Sequence, residues 1–416
     1  MEMGAADRRA PKSITAFHVM AKPTGALCNL DCAYCFYLHK QELINSRRVI
    51  SDEVLERFIY EYINSQTVPE IVFTWQGGEP TLLGVDFFRR VVEYERLYCP
   101  PGKKVANDLQ TNGTLLDEKW CEFLKEHNFL VGISIDGPER LHNVYRKTRR
   151  GDPTFQKVFN AIKLLHKYEI PFNTLTVVNR INAKYPREVY RFLRDTAGST
   201  RMQFIPIAEP KVFNSSPTTF ISEESMPTTG SSEALPGKHG SLVADWSVVP
   251  EDYGSFLNCV FDIWYREDIG KVFVFLFECA LAQWLGMEAS LCIFSETCGR
   301  ALALEADGSL YSCDHFVYPE HRLGNIKDHR LLQMVTSTSQ TVFGVSKAAA
   351  LPEYCNRCEY LFACHGECPK NRFVKTPDGE PGLNYLCAGL KKYFHHIYPY
   401  MKELAEILRA TKQKKI

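Results

Sequence analysis

The sequence predicts an α/β protein in which six βα units build a parallel sheet and a cysteine-rich C-terminal domain follows. From about residue 14 to 207, short β-rich runs alternate with longer amphipathic stretches, the pattern of repeated βα units. From 292 to 387, eight cysteines crowd into less than a quarter of the chain. With 416 residues and 45% hydrophobic content, there is material for a barrel-sized core and a smaller one.

The strand candidates are FHVMA (17–21), EIVFTW (70–75), KVANDLQ (104–110), FLVGISI (129–135), FNTLTVV (172–178) and MQFIPI (202–207). Each is rich in apolar or β-branched residues, as strands covered on both faces tend to be. Between the first two, SDEVLERFIYEYINS places Val54, Leu55, Phe58, Ile59 and Tyr62 on one helical face. Ser51, Asp52 and Glu53 suit a helix N-terminus. Stretches 116–127, 154–168 and 186–195 read as further outer helices. Residues 208–247 are rich in Ser, Thr, Pro and Gly and read as a long excursion from a first domain spanning 14–247. Two apolar-faced helices in YGSFLNCVFDIWYRED and VFVFLFECALAQWLG form a connector over 248–290. The cysteine-rich domain is expected over 291–395, and 396–416 closes the last helix (about 388–411) and its basic tail, KQKKI.

Lys and Arg total 49 and so do Asp and Glu, so no basic excess marks a nucleic-acid partner. The first residues, MEMGAADRRAPKSITAF, lack an apolar core of signal-peptide length, and no run long enough to span a bilayer follows. A cytoplasmic protein without membrane contact is expected. In that reducing compartment fifteen cysteines, eleven of them clustered, point to metal rather than disulfides. The isolated Cys99, Cys121, Cys259 and Cys279 read as ordinary thiols.

Cys28, Cys32 and Cys35 form CxxxCxxC directly after the first strand. Structural zinc and electron-transfer [4Fe-4S] sites both take four protein ligands, so three cysteines leave one iron of a cluster open to a small molecule. A zinc knuckle with its fourth ligand from elsewhere is the alternative. The loop after strand two is Gln76-Gly77-Gly78-Glu79-Pro80, after strand three comes Gln110-Thr111-Asn112-Gly113, and strand four ends in Ser134-Ile135-Asp136-Gly137. Polar, glycine-containing segments thus recur at the carboxyl ends of successive strands, where parallel barrels carry their sites. The Gly77-Gly78 pair allows close backbone approach to a ligand, or is simply a turn. Ser134 can donate to a carboxylate. Arg146 can pair with one in bidentate fashion, though on residue type alone the run RKTRR reads as solvated surface.

CNLDCAYCFY followed by GGEP resembles the radical S-adenosylmethionine superfamily, whose partial, TIM-like (β/α)6 barrel matches the six units. The resemblance implies a [4Fe-4S] cluster on Cys28, Cys32 and Cys35 that binds S-adenosylmethionine. It places Tyr34 and Ile207 at the adenine, Gly78 with its neighbours Gln76, Gly77 and Glu79 at the methionyl amino group, and Ser134 and Arg146 at the carboxylate or ribose.

The eight later cysteines equal the thiolate count of two fully ligated [4Fe-4S] clusters, or of two zinc sites, and spacing alone does not partition them. They resemble a SPASM-type extension, which implies one auxiliary cluster on Cys292, Cys298, Cys313 and Cys368 and another on Cys355, Cys358, Cys364 and Cys387. Through FTWQGGEPTLLG, LQTNGTLL, VGISIDGP, YSCDHFVYPEHRLGNI, LFACHGECPKNRF and DGEPGLNYLC the chain is similar to anaerobic sulfatase-maturating enzymes. That similarity implies oxidation of a Cys or Ser in an unfolded or nascent sulfatase, in a Cys/Ser-x-Pro/Ala-x-Arg motif, to Cα-formylglycine. It also implies an external electron donor such as flavodoxin or ferredoxin. Asp314, next to Cys313, is the proton acceptor on this reading and a hydrogen-bonded loop carboxylate on residue type alone. His315, His365 and Glu367 stand near the same ligands as tuning groups or ordinary packing residues. A SPASM-type peptide maturase forming a thioether or other crosslink, and a zinc-dependent interaction protein, are the rival readings.

Overall fold

The computed structural model describes residues 16–44, 49–213, 217 and 221–413. The N-terminal segment read for targeting, part of the Ser/Pro-rich excursion and the end of the basic tail lie outside them. The strands are β1 (His18–Lys22), β2 (Glu70–Trp75), β3 (Lys104–Thr111), β4 (Leu130–Ser134), β5 (Phe172–Val178), β6 (Arg201–Pro206), β7 (Phe273–Val274), β8 (Ala301–Glu305), β9 (Ser309–Tyr311) and β10 (Arg322–Asn325). The helices of the first half are α1 (Lys40–Ile44), α2 (Asp52–Ser65), α3 (Gly84–Tyr98), α4 (Glu118–Glu126), α5 (Glu139–Tyr145), α6 (Phe155–Lys167) and α7 (Pro186–Arg191). Those of the second are α8 (Pro250–Ile263), α9 (Phe275–Trp284), α10 (Leu331–Val335), α11 (Thr338–Ala349), α12 (Glu353–Asn356), α13 (Leu361–Cys364) and α14 (Cys387–Gln413).

The six expected strands form the parallel run β1 to β6 in chain order, inside one sheet of order β10-β9-β8-β1-β2-β3-β4-β5-β6-β7. The two ends of the run are covered rather than left as open edges, which would offer unpaired backbone groups to other chains. Phe273–Val274, read in sequence as the start of a helix, pairs with β6 as β7, and the helix starts only at Phe275. At the other end β8 runs parallel to β1 in unbroken register, from His18 opposite Ala301 to Lys22 opposite Glu305. The hairpin β8 to β10, inside the cysteine-rich region, therefore continues the barrel sheet. The boundary expected at 395/396 also falls within one helix, α14, which packs along α8 where Gly254 and Gly389 meet backbone to backbone.

Helix placement follows local chemistry. Ser51 caps α2 by accepting from the Val54 N–H, and Asp117 caps α4 from the Trp120 N–H. Helix α3, not singled out in sequence, buries Phe87, Phe88, Val91 and Val92 against the sheet. The 186–195 stretch is helical to Arg191 and finishes in a π-helical turn, Phe192–Thr196. Along β5 burial alternates strictly: Phe172, Thr174, Thr176 and Val178 are buried, while Asn173, Leu175 and Val177 are half-buried. Phe172 packs on His166 of α6, so the buried set faces the helices and the more accessible set faces the concave side of the sheet. Solvent or ligand thus reaches that concave side, where barrel chemistry is done.

One buried carboxyl belongs to the fold alone. Glu95 on α3 is 4% exposed and accepts from Asn107 Nδ2 at 2.9 Å, while Asn107 Oδ1 accepts from Trp75 Nε1 at 2.7 Å. Burial, opposed by the Asn107 bond, pushes its carboxyl up to about 8. An acid raised in the folded state stabilises the fold fully below its unfolded value, about 4.3, and that contribution declines as pH climbs toward 8. Glu95→Gln keeps an acceptor for Asn107 and removes the proton. Its melting temperature relative to the natural chain should rise between pH 5 and pH 8, by the equivalent of roughly 1 kcal/mol or more, since a shifted pKa unit is worth about 1.4 kcal/mol. A constant gap across that range would show that Glu95 is ionised in the fold.

Candidate active site and the cluster-binding thiols

The three-cysteine loop leaves β1 through a tight turn at Gly25 (φ 51°) and is held from two sides. On one side it docks against the segment after α5: Asp31 N–H donates to Lys147 O at 2.9 Å and Ala33 N–H to Tyr145 O at 3.2 Å. On the other it meets the loop after β2, where Gly78 N–H donates to Gly25 O at 2.7 Å and Glu79 N–H to Leu27 O at 2.8 Å. A Cβ on Gly78 would stand 2.0 Å from Leu27 O, which no side chain tolerates. Gly77 has φ 129°, which also favours glycine. The glycines expected to approach a ligand thus also fit this loop against the cysteine loop.

Glu79, grouped in sequence with the ligand contacts, is fully buried and saturated by its own protein. Its Oε1 accepts from Thr81 N (3.0 Å), Thr81 Oγ1 (2.6 Å) and Thr111 Oγ1 (2.7 Å), and Oε2 accepts from Asn112 N at 2.7 Å. It ties the loop after β2 to the loop after β3. Asn112 then reaches across to Asn29 Oδ1 at 2.9 Å and toward Cys28 Sγ at 3.7 Å. Gln76 Nε2 points back to Met20 Sδ at 2.7 Å. Ser134 ends β4 half-buried, and Ile207, just beyond β6, is buried, its N–H on Val178 O.

Arg146 is not a surface residue: at 6% exposure it sits at the end of α5 beneath the cysteine loop. Its Nη1 donates to Tyr34 Oη at 3.0 Å, and Tyr34 Oη donates to Asp136 Oδ2 at 2.5 Å. Asp136 Oδ1 accepts from Val177 N–H at 3.1 Å, so the triad spans the ends of β4 and β5. Burial opposes the Arg146 charge, but Tyr34, Cys32 and Asp136 outweigh it and hold the guanidinium protonated. Arg146 Nε is buried with no hydrogen-bond partner among the described residues. Tyr34 thus brings its hydroxyl to an internal triad, while its ring packs edge-on to Tyr145.

Burial pushes the Cys28 thiol up to about 11 and that of Cys32 to about 12, and each feels Cys35. Such thiols stay protonated until a metal takes the proton's place. Three thiols facing one another beside a buried arginine with an unused N–H fit an iron-sulfur cluster carrying an anionic small molecule. The later cysteines gather in two sets. Cys313 feels Cys292 and Cys298, and Cys368 feels all three. Cys364 feels Cys387 and Cys355, and Cys387 feels Cys355 and Cys358. Two sets of four thiols, with no thiol left over, fit two fully ligated clusters. Among the described residues no three His, Cys, Asp or Glu side chains close on a point as ligands of a single ion would.

Between the three-cysteine loop and the first set of four lies Asp314. Its Oδ1 pairs with Lys22 Nζ at 2.5 Å, the lysine 2% and the aspartate 15% exposed. Burial would raise the Asp314 carboxyl, but the Lys22 ammonium and its neighbours outweigh burial and hold it below the usual carboxylate range. Lys22 also lies over the Tyr37 ring, 3.9 Å from its centroid. The β1–β8 register sets Glu305 opposite Lys22; this carboxyl is 1% exposed and is pushed up to about 8 by burial. Farther along, Lys40 Nζ stands 3.1 Å over the Tyr318 ring, burial lowering it to about 7, and Lys370 pairs with buried Glu209. His315 Nδ1 lies 3.4 Å from Cys368 Sγ and its ring is edge-on to Phe36, which brings the two cysteine regions together.

Sequence reading missed Lys22, Glu305, Lys40, Glu209 and Lys370. Lys22 carried the one available signal, a lysine closing an apolar strand just before the cysteine motif. Of the isolated cysteines, Cys121 and Cys279 are buried and Cys99 and Cys259 half-buried.

This architecture, with an open three-cysteine site at the mouth of a partial barrel and two complete thiol sets behind it, is that of a radical S-adenosylmethionine enzyme with auxiliary clusters. The model of the radical SAM superfamily matches residues 23–193, and that of the SPASM iron-sulfur cluster-binding domain matches 292–359. The chain is 46% identical over 407 residues to a serine-type anaerobic sulfatase-maturating enzyme of Bacteroides thetaiotaomicron, covering 95% of each. It is 34% identical over 395 residues to a cysteine-type enzyme of Clostridium perfringens, covering 94% of this chain and 99% of that one. The structure of native anSMEcpe with bound AdoMet and Cp18Cys peptide superposes with a TM-score of 0.80 at 33% identity, covering 94% and 99% of the two chains. The chain belongs to the anaerobic sulfatase-maturating enzymes.

The Gly78 contact makes a direct prediction. Gly78→Ala should push the cysteine loop off its seat while leaving the C-terminal thiols in place. Iron after anaerobic reconstitution should fall from about twelve to about eight per chain, at four per cluster. Full iron with unimpaired S-adenosylmethionine cleavage in the variant would refute the packing role.

Proposed function

We propose that this chain oxidises a Cys or Ser of an unfolded or nascent sulfatase polypeptide to Cα-formylglycine under anaerobic conditions. The observation that carries the reading is Asp314: an ionised, nearly buried carboxylate held on Lys22 between the three-cysteine loop and the first thiol set. On this reading Cys28, Cys32 and Cys35 hold the S-adenosylmethionine cluster, Cys292, Cys298, Cys313 and Cys368 one auxiliary cluster, and Cys355, Cys358, Cys364 and Cys387 the other. When bound, S-adenosylmethionine on its cluster supplies the 5'-deoxyadenosyl radical that takes a hydrogen atom from the substrate Cβ, and the auxiliary clusters supply an acceptor for the electron that must also leave.

Converting –CH2–XH to –CH=X removes two protons and two electrons; with one hydrogen atom gone, one proton and one electron remain. Asp314 takes that proton from the hydroxyl or thiol, having been kept ionised for it by Lys22. Because Asp314 follows Cys313 directly, the proton and the electron leave the substrate at neighbouring points. A cysteine substrate then exchanges sulfur for the oxygen of water to reach the same aldehyde. Arg146, fixed by Tyr34 and carrying an Nε without a partner among the described residues, holds the carboxylate or ribose with Ser134 on this reading. Gln76, Gly77 and Gly78 border the amino group, Glu79 fixes their loop from behind, and Tyr34 and Ile207 wall the adenine.

Serine-type and cysteine-type relatives both align over nearly the whole chain, at 46% and 34% identity, so alcohol and thiol are both substrates to test. Flavodoxin or ferredoxin in the cytoplasm is the source of the initiating electron. No helix among the described residues is long and apolar enough to cross a membrane. The test is anaerobic incubation with a Cys-x-Pro-x-Arg peptide and its Ser counterpart, followed by mass spectrometry. Asp314→Asn should keep all three clusters and 5'-deoxyadenosine formation while aldehyde yield drops roughly 100-fold or more, the range of general-base effects. An unchanged yield would remove Asp314 from the mechanism, and no aldehyde from either peptide with the natural enzyme would remove the substrate class.

A further inference from the structure

Two buried cations in the C-terminal region have no carboxylate paired with them among the described residues. Lys347, on α11, is 1% exposed, and its Nζ donates to the carbonyl oxygens of Cys292 (2.9 Å), Ile293 (2.8 Å) and Ser295 (2.5 Å). Arg372 is 7% exposed; Nε donates to Gly366 O at 3.1 Å, Nη1 to Lys347 O at 2.6 Å and Nη2 to His365 O at 3.1 Å. Three carbonyls around Lys347 match the three N–H donors of an ammonium, whereas a neutral amine would turn its lone pair on an acceptor. The geometry thus places Lys347 as an ammonium although burial lowers it from its usual value, and the guanidinium of Arg372, also lowered by burial, spends its N–H groups on carbonyls alone.

Buried charge is costly unless opposite charge lies nearby. Glu367 interacts with both cations without forming an ion pair with either, and its Oε2 accepts from Asn371 Nδ2 (2.8 Å) and Asn384 Nδ2 (2.6 Å). One carboxylate cannot balance two cations, and the other negative groups near them are the cysteines, which are divided unequally. Lys347 interacts with Cys298, Cys368 and Cys292, all of the set that contains Cys313. Arg372 interacts with Cys355 of the other set as well as with Cys368 and Cys298. The Arg372 bond to the Lys347 carbonyl fixes the two cations to each other, and its bonds to His365 and Gly366 fix it to the loop after Cys364.

We propose that Lys347 and Arg372 are the counter-charges of the auxiliary clusters, Lys347 acting on the cluster beside Asp314 alone and Arg372 on both. The inference rests on the assignment of the two thiol sets given above. A cluster in four thiolates becomes more negative on reduction, so a fixed positive charge stabilises its reduced state and raises its reduction potential. Placing one cation beside the first cluster and sharing the second makes the first cluster the better acceptor. The electron leaving the substrate is thereby drawn to the point where Asp314 takes the proton.

The test uses the full chain with its clusters reconstituted, and reads the midpoint potential of each auxiliary cluster by titration followed with electron paramagnetic resonance. Lys347→Gln should lower the first potential by about 59 mV, the equivalent of tenfold for one electron, and leave the second unchanged. Arg372→Gln should lower both. Lys347→Arg and Arg372→Lys, which keep the charge, should stay near the natural values. Unchanged potentials in both Gln variants overturn the proposal, as do Arg and Lys replacements that shift as far as the Gln ones, since lost packing would then be the cause. Where Lys347→Gln does not load its cluster, Arg372→Gln and Arg372→Lys decide the outcome by the same criteria. A natural chain that binds fewer than about twelve irons fails at the earlier step and refutes the thiol assignment instead.

Discussion

The parallel pairing of β1 with β8 is the constraint on which the rest depends. Its register puts Lys22 opposite Glu305 at the ends of two strands, each of which leads into clustered cysteines. The chain leaving β1 runs into Cys28, while the hairpin that follows β8 runs through β9 to Cys313 and Asp314. The Lys22–Asp314 pair closes that arrangement with a charge-assisted contact inside the protein, where a salt bridge is least screened. A slip of one residue in this pairing would turn Lys22 to the opposite face and separate the carboxylate from its cation. The spacing between the three-cysteine loop and Asp314 is thus set by backbone hydrogen bonds rather than by a flexible linker.

Burial sets the electrostatic character of the remaining site. Glu79, Asp136 and Arg146 are each removed from water, and each is satisfied mainly by groups on a different loop. Carboxylates and a guanidinium used in this way act as rigid connectors, because an unpaired partner would leave a buried polar group without compensation. The loops after β1, β2, β3 and β4 are consequently one bonded unit. The thiols lie within that unit with their protons retained, a state from which iron binding releases protons.

The sequence was legible where periodicity and spacing carry the information. Six strand positions, the capped helix at 52–65 and the split between three thiols and eight follow from alternation, a Ser-Asp-Glu helix start and the CxxxCxxC pattern. The β8 hairpin was not legible, since ALALE and SLY are short and sit among cysteines that dominate the reading of that region. Neither was burial of Arg146, because the run RKTRR has the composition of surface, and only the docking of the cysteine loop on residues 145–148 shows which of its charges turns inward. Glu79 lies in a motif read for ligand contact, yet four donors from its own chain take both its oxygens. Lys22 has only the faint signature of a lysine closing an apolar strand, and Lys347 and Arg372 have none: their roles come from carbonyls, rings and carboxylates brought from distant parts of the chain.

The covering of β1 by β8 also orders events in the life of the chain. The strand that begins the sheet remains an open edge until residues from the far side of the barrel have been synthesised, and contacts of such long sequence separation form late. Until then the cysteine loop has only its neighbours at 76–79 and 145–148 to hold it, and Lys22 has no Asp314. A ribosome-bound chain can therefore assemble the three-cysteine loop well before it possesses Asp314. A chain whose translation stops before residue 314 keeps the three-cysteine loop but lacks the carboxylate that Lys22 pairs with in the finished fold.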